Sequence, residues 1–296
     1  MQVNAANMAI LNQAFNASFK GAFDTVQPMS PRVAMTVPSS TSEEKYGWLG
    51  MTTQFREWLG DRQYQALKSH SYSIKNRTFE NSVEVQREAI EDDQYGVYSP
   101  LMAQMGQDAR LHPDELTFAL LAAGFANVCY DGQYFFDTDH PVGQGSTVKS
   151  VSNFQGGSGT PWYLLDMSKI IKPLIIQKRR EYAFLAKDKL DDDKVFEKNV
   201  FTYGADGRLN VGYGMWQFAY ASKQPLDLSA YAAARSEMGG FKADNGKPLN
   251  VMGNLLLVPP SLEKAALEVI KQQRGANGAD NVYANTAEVM VCPWLS

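Results

Sequence analysis

Phe79-Glu80-Asn81-Ser82-Val83-Glu84-Val85-Gln86-Arg87 alternates apolar and polar side chains, with Phe79, Val83 and Val85 on one parity. That is the pattern of a half-buried strand. Ile90-Glu91-Asp92-Asp93 makes an acidic turn, and Ser99-Pro100 then opens a helical pattern that runs to Gly124. Ser99 suits the N-cap, and Pro100 the first helical position, where its missing N–H costs little. Leu101, Met102, Met105 and Ala109 keep helical spacing until Pro113 interrupts. The proline either kinks the helix or ends it and starts a second, with Asp114 and Glu115 favouring the new N-terminus. Leu116, Leu120 and Ala123 continue the apolar face to Gly124, a natural stop. The stretch closes on Tyr130-Asp131-Gly132-Gln133-Tyr134-Phe135-Phe136-Asp137-Thr138-Asp139-His140-Pro141, read as a strand. Strand, long helix and strand form a spine on which the other parts hang.

Upstream, residues 4–23 read as an amphipathic helix, with Met8, Leu11, Phe15 and Phe19 at helical spacing and Asn4 as cap. The segment from Val26 to Ser42 holds Pro28, Pro31 and Pro38 and reads as an extended arm. Helix and arm have no core of their own, so their apolar face must be covered by the main body or by a neighbouring chain. Tyr46-Gly47-Trp48-Leu49-Gly50 opens an aromatic-rich segment with Phe55 and Trp58. Tyr72 and Ile74 then share one parity, and Phe79, Val83 and Val85 the other, with the switch at Lys75-Asn76-Arg77-Thr78. This predicts two strands joined by a turn or bulge there, a hairpin projecting about 30 Å. Lys75, Arg77, Glu80 and Glu84 make it solvated or interfacial.

Downstream, Val142 to Pro161 is rich in Gly, Ser and Thr and is expected to be a flexible, contact-making surface loop. Residues 162–187 are strand-rich. Leu228 to Met238 reads as a helix, Asn254 to Pro260 as a buried strand, Leu262 to Gln273 as a helix capped by Ser261, and Ala287 to Val291 as a last strand. That order fits a small α/β unit, with a soft boundary near Gln224-Pro225.

Composition narrows the function. The chain has 296 residues, 44% apolar and 20% charged, with 28 Lys+Arg against 32 Asp+Glu and a formal charge of −4. Proteins whose main task is to grip nucleic acid carry a basic excess. No apolar run approaches the ~18 residues that span a bilayer, and no signal peptide is visible, so a reduced cytosolic setting is expected. Cys129 and Cys292 are read as small buried hydrophobes.

The inventory of chemistry is thin. Asp137, Asp139 and His140 form the best catalytic lookalike, a set that would serve a metal-dependent enzyme. Strand alternation lets only Asp137 and Asp139 converge, and a third ligand at useful spacing is missing, so turn-forming hydrogen bonds are the favoured role. His112-Pro113-Asp114-Glu115 reads as helix-start chemistry, and His70 has no partner in register. The glycine clusters at 143–145, 156–159 and 207–214 match neither a phosphate-cradling loop nor a dinucleotide fingerprint. Lys178-Arg179-Arg180-Glu181 could face nucleic acid, pair with acidic residues of a neighbouring subunit, or line a solvated strand edge. Neither a cofactor nor a metal is expected. Projecting parts around a compact body suit a subunit that interlocks with copies of itself.

Several motifs, in order, resemble the Mu-like phage major head subunit family. They are Tyr46-Gly47-Trp48-Leu49-Gly50, Arg56-Glu57-Trp58-Leu59-Gly60-Asp61-Arg62-Gln63, Ile90-Glu91-Asp92-Asp93, Tyr98-Ser99-Pro100 and Pro113-Asp114-Glu115-Leu116. Tyr130-Asp131-Gly132-Gln133, Phe136-Asp137-Thr138-Asp139-His140-Pro141, Gly212-Tyr213-Gly214 with Trp216-Gln217, Val258-Pro259-Pro260-Ser261-Leu262-Glu263, and Thr286-Ala287-Glu288 with Pro293-Trp294-Leu295 continue the series. The resemblance implies an α+β major capsid protein of the Hong Kong 97 (HK97)-type fold. It maps residues 1–41 to an N-terminal arm, 42–84 to an extended loop, 85–225 to a peripheral domain with a spine helix at 99–124, and 226–296 to an axial domain.

It also implies a non-enzymatic virion component assembled in the host bacterial cytoplasm, building an icosahedral shell from pentamers and hexamers. Its expected partners are copies of itself, a scaffold or head-maturation protease, a portal, decoration proteins, and packaged double-stranded DNA contacted weakly. Phe15, Phe19, Trp48, Trp58, Tyr72 and Arg77 are the candidate inter-subunit contacts, each well-buried aromatic contributing about 1.5–3 kcal/mol. An encapsulin-like compartment, which shares the fold, and a tail or neck component are the competing structural readings.

Overall fold

In a computed structural model of the chain, residues 2–50, 71–92, 96–274, 278 and 280–296 are described. The chain opens with α1 (Ala5–Thr25), capped by Asn4, whose side chain accepts from the Asn7 N–H at 2.9 Å. It extends through β1 (Ala34–Pro38) and β2 (Glu43–Lys45), and resumes as β3 (Ser73–Lys75) and β4 (Arg77–Gln86). A short helix, α2 (Arg87–Asp92), occupies most of the expected acidic turn, and Arg87 Nε reaches Glu91 at 2.9 Å along it.

The spine helix α3 (Ser99–Ala122) is one continuous element with Pro113 inside it. Tyr98, not Ser99, holds the cap position, with no side-chain hydrogen bond. Then come β5 (His140–Val142), β6 (Lys149–Val151), β7 (Phe154–Gly157), β8 (Trp162–Leu165), β9 (Leu174–Lys187), α4 (Asp193–Lys198), β10 (Val200–Tyr213) and β11 (Ala219–Lys223). The chain ends with α5 (Leu228–Gly239), β12 (Leu255–Val258), α6 (Glu263–Ile270) and β13 (Glu288–Val291).

Two sheets organise these elements. The first has the order β1-β9-β10-β4, with β1 parallel to β9 and β10 antiparallel to both β9 and β4. Its long strands alternate buried and exposed positions, and α1 and α3 cover one face. The second sheet has the order β13-β12-β8-β11-β7. Every residue of β8 and β12 is buried, because helices and loops cover both faces of these central strands. One apolar cluster runs from Val33 through Phe118, Leu121 and Ile175 to Leu257 and Cys292, so the two sheets share a continuous core.

Several expectations are corrected. The two strands either side of residues 75–78 do not pair with each other: β3 pairs with β2, and β4 pairs with β10. The parity switch falls at Asn76, whose buried side chain lets the strand leave one partner for another. The antiparallel pair at the base of the extended loop is therefore β2 with β3. The expected strand at 130–141 is mostly turns, held by a bridge between Val128 and Tyr134, and only His140 and Pro141 join a strand. The Gly-rich run 142–161 carries β6 and β7 instead of a flexible loop; positive φ at Gly156 and Gly157 shapes the end of β7, where Gly157 pairs with Lys223 of β11.

Finally, β7, β8 and β11 precede residue 225 and yet share a sheet with β12 and β13. The soft boundary near Gln224-Pro225 cuts across one sheet instead of separating two cores.

Candidate functional site

The N-terminal arm is docked on its own body. Phe15 and Phe19 are buried, Phe15 edge-on to Tyr203 at 5.0 Å and Phe19 against Phe184 at 5.7 Å between centroids. Both are corrected as inter-subunit contacts, since the face expected to need cover is already covered by α3 and the first sheet. Gly106 of α3 permits this: a Cβ there would lie 2.2 Å from the Phe19 carbonyl oxygen.

Asp114, fully buried in α3, accepts from the N–H groups of Met29 and Ser30 at 2.7 and 2.8 Å. Its carboxylate thus caps the turn that follows the arm helix. The HPDE motif hid this role, because helix-start chemistry explains an Asp after a Pro equally well. Midway along α1 Asn12 donates to Asp188 at 3.0 Å, and near its C-terminal end the Phe23 ring centre lies 5.1 Å from the Arg110 guanidinium.

The base of the extended loop is fastened by a buried polar network. Gln177 of β9 accepts from Tyr46 Oη at 2.9 Å and donates to the Ile74 carbonyl at 2.9 Å and Asn76 Oδ1 at 2.8 Å. Asn76 in turn donates to Ser39 Oγ and the Thr41 carbonyl at 2.7 and 2.8 Å. Tyr72 Oη accepts from the Tyr213 N–H at 2.8 Å, and Trp48 is half-buried against the main core. Arg77 is exposed, its guanidinium 5.1 Å from the Phe79 ring centre. Trp58, like His70, lies outside the described residues.

Glu44 accepts from Ser40 N–H at 2.8 Å, Ser39 Oγ at 2.8 Å and Thr41 N–H at 3.1 Å. These bonds, the Ser40 N–H first, hold its carboxyl down to about 2.

The basic run is paired within the chain. Arg180 makes a bidentate contact with Asp206 at 2.6 Å, Lys178 meets Glu181 at 2.5 Å, and Arg179 reaches the Ser39 carbonyl at 3.4 Å. His112 sits half-buried between Phe79 and Tyr182, whose hydroxyl lies 2.6 Å from Nδ1. Burial holds its pKa below the usual histidine range. Large apolar side chains stand in solvent at several places, above all Ile170, Phe196 and Val282 at 95%, 87% and 80% exposure.

Asp137, Asp139 and His140 do not converge. Asp137 accepts from its neighbouring Tyr134 and Thr138 N–H groups, the turn role anticipated for it. Asp139 is exposed. His140 is fully buried, stacked on Trp216 at 4.0 Å, with Nδ1 2.7 Å from Asp131 Oδ2 and Nε2 3.2 Å from Asn153 Oδ1. Asp131, nine residues upstream, is thus its carboxylate partner. The Asp131-Gly132 turn was the available signal, since it folds the chain back so that Cys129, Asp131 and His140 meet. Burial raises the Asp131 carboxyl, but hydrogen bonding and charge from His140 outweigh it and leave it below the usual range. Burial, then Asp131, push the Cys129 thiol far up. The trio faces inward, with Cys129 4% and His140 0% exposed.

The family model for the Mu-like prophage major head subunit gpT matches residues 8–295. The chain is 40% identical over 289 residues to the major capsid protein of Escherichia phage Mu, covering 95% of each. It is 43% identical over 267 residues to the Mu-like prophage FluMu major head subunit of Haemophilus influenzae, covering 88% of this chain and 87% of that one. Among solved structures, a chain of the procapsid of bacteriophage JBD30 superimposes with a TM-score of 0.88 at 43% identity, covering 99% of this chain and 100% of that one. A chain of the JBD30 capsid gives 0.80 at 34% identity over the whole of both. One from the JBD30 capsid decorated with minor capsid protein trimers gives 0.79 at 34% identity over 92% of each.

Proposed function

Because the chain belongs to the Mu-like prophage major head subunit family and is a major capsid protein of HK97-type fold, we propose that it closes an icosahedral shell from pentamers and hexamers of itself. The observation that carries this reading is the superposition on a chain of a phage procapsid over 99% of this chain, with a TM-score of 0.88. It is a phage virion component, and self-assembly into a shell is its task. Assembly in the host cytoplasm, a head-maturation protease or scaffold, a portal, and weak contact with packaged double-stranded DNA complete the proposal. The relative decorated with minor capsid protein trimers supports a decoration partner here.

Trp48, Trp58, Tyr72 and Arg77 are proposed to meet neighbouring copies, with exposed Ile170, Phe196 and Val282 as further contacts. Symmetric copies of one chain bury such side chains repeatedly at little cost in sequence. The chain is proposed to carry no catalysis. For the domains, an arm at 1–41 and an extended loop at 42–84 are proposed, which lend β1 and β4 to the first sheet. The peripheral unit is centred on the first sheet and α3, and the axial unit gathers the second sheet with α5 and α6.

Negative-stain microscopy of the expressed chain tests the proposal. Closed angular particles are expected. A lone monomer at high concentration, or rings and tubes, refutes it, and particles filled with host protein in place of DNA point to a cargo compartment.

A further inference from the structure

The irregular stretch between α3 and β5 brings together three donor side chains well inside the body. Cys129 Sγ lies 3.1 Å from Asp131 Oδ1, and Asp131 Oδ2 lies 2.7 Å from His140 Nδ1. The ligand-type atoms of all three fall within 4.8 Å of one another. Cys129 is 4% exposed and His140 fully buried, and the Asp131 side chain is 6% exposed.

The hydrogen-bond pattern around His140 is what asks for explanation. Asn153 Nδ2 donates to the carbonyls of Phe135 at 2.8 Å and Ala219 at 3.3 Å, which fixes Oδ1 as the atom facing the ring. That oxygen also accepts from the Asp137 N–H at 2.9 Å. Both ring nitrogens of His140 therefore face oxygen acceptors, while a neutral imidazole has only one N–H to give. Two arrangements resolve this. Either the ring carries a second proton in a buried pair with Asp131, or Nε2–H serves Asn153 and a cation takes the place of the proton between Nδ1, Asp131 and Cys129.

We propose that Cys129, Asp131 and His140 bind one zinc ion. One thiolate, one imidazole and one carboxylate form a donor set that borderline-soft zinc accepts, with the fourth tetrahedral position left to water. The surrounding bonds have the form that orients metal ligands: Nε2–H to Asn153, the Gln133 N–H to Asp131 Oδ1 at 3.1 Å, and the stacked Trp216 holding the ring plane. Tetrahedral zinc separates sulfur from oxygen by about 3.5 Å and nitrogen from oxygen by about 3.3 Å. Oδ1 faces Cys129 and Oδ2 faces His140, so the carboxylate must turn to offer one oxygen to the ion while each existing contact opens by about half an ångström. Binding replaces the thiol proton: Cys129 S–H, neutral His140 and ionised Asp131 take up Zn²⁺ and release one H⁺. The ion would pin residues 129–131 to the start of β5, bracing a run that has no regular strand or helix of its own between residues 126 and 139.

The test is metal analysis of the untagged full chain, expressed with zinc and dialysed against a weak chelator. About one zinc per chain is expected, falling to background in Cys129→Ala and Asp131→Asn. Cobalt(II) added to the metal-stripped wild-type chain should give a thiolate-to-cobalt charge-transfer band. That band should survive Cys292→Ala, which removes the other buried thiol, and vanish in Cys129→Ala. Should a variant fail to fold, the wild-type and Cys292→Ala measurements still decide. Background zinc in the wild type together with no thiolate band overturns the proposal and leaves a hydrogen-bonded Asp131–His140 pair.

Discussion

Adding one methyl group at either of two helical glycines should move stability in opposite directions. At Gly106 a Cβ would sit 2.2 Å from the Phe19 carbonyl oxygen and 3.0 Å from its carbon. Those are backbone atoms and cannot rotate aside, so α1 must lift from α3 by about 1 Å; a gap of that size forfeits roughly a quarter to a half of each dispersion contact. The side chains that depend on the contact are Met8, Phe15 and Phe19, all buried. At about 2 kcal/mol each, the loss is about 2 kcal/mol or somewhat more. Alanine returns about 1 kcal/mol through its better helix propensity.

The net for Gly106→Ala is a destabilisation of about 1–2 kcal/mol, a five- to thirty-fold shift toward the undocked arm. Gly21, in α1, has nothing within 4 Å of its Cβ position, so Gly21→Ala should stabilise by about 1 kcal/mol. The assay is the urea midpoint of the soluble chain, with the rate of proteolysis within the first thirty or so residues as a local readout. If Gly106→Ala raises the midpoint as much as Gly21→Ala, the close crossing of the two helices is wrong.

Asp114→Ala strands the buried Ser30 N–H and the half-buried Met29 N–H, and should cost about 2–3 kcal/mol, with Asp114→Asn in between; equal denaturation midpoints would refute the capping role. Phe196→Ser should leave monomer stability within about 0.5 kcal/mol while raising the protein concentration at which particles form, measured by light scattering; unchanged assembly would remove Phe196 from the contact surface. Acid should loosen the fold in two windows. His112, held below its unfolded pKa by burial, must take up a proton on unfolding, so stability falls as pH drops below about 6.5. Glu44, lowered to about 2, contributes stability present above its unfolded value and lost between about 4.5 and 2. Stability of His112→Phe independent of pH between about 7 and 5, against a sloping wild type, checks the first window; carboxyl titration of Glu44 by NMR checks the second.

Local pattern was enough for the elements whose signals are local. The apolar spacing of Met8, Phe15 and Phe19 marked α1, Pro100 marked the start of α3, and the parity of Phe79, Val83 and Val85 marked β4. Family motifs spread from Tyr46 to Leu295 point to a capsid subunit. Periodicity is a property of neighbours along the chain, so it reports which face of an element is apolar. It does not report what covers that face. Spacing alone therefore places Phe15 and Phe19 on an apolar face without saying that α3 and Tyr203 of the same chain cover it.

Pairing was the other gap. Strand partners are chosen by long-range register, so nothing between residues 72 and 86 announced that β3 would join β2 while β4 ran along β10. Asp137 and Asp139, adjacent to His140 in sequence, stand apart from it, and Asp131 reaches it through a turn. The sequence by itself determined the helices and strands with strong local periodicity, and to which family of shell subunits they belong, but not the turns at 130–139 or the strands within 142–161. Tertiary structure alone decided which buried polar groups meet, because a hydrogen bond or a shared donor set depends on distances between residues that the chain brings together only when it closes its core.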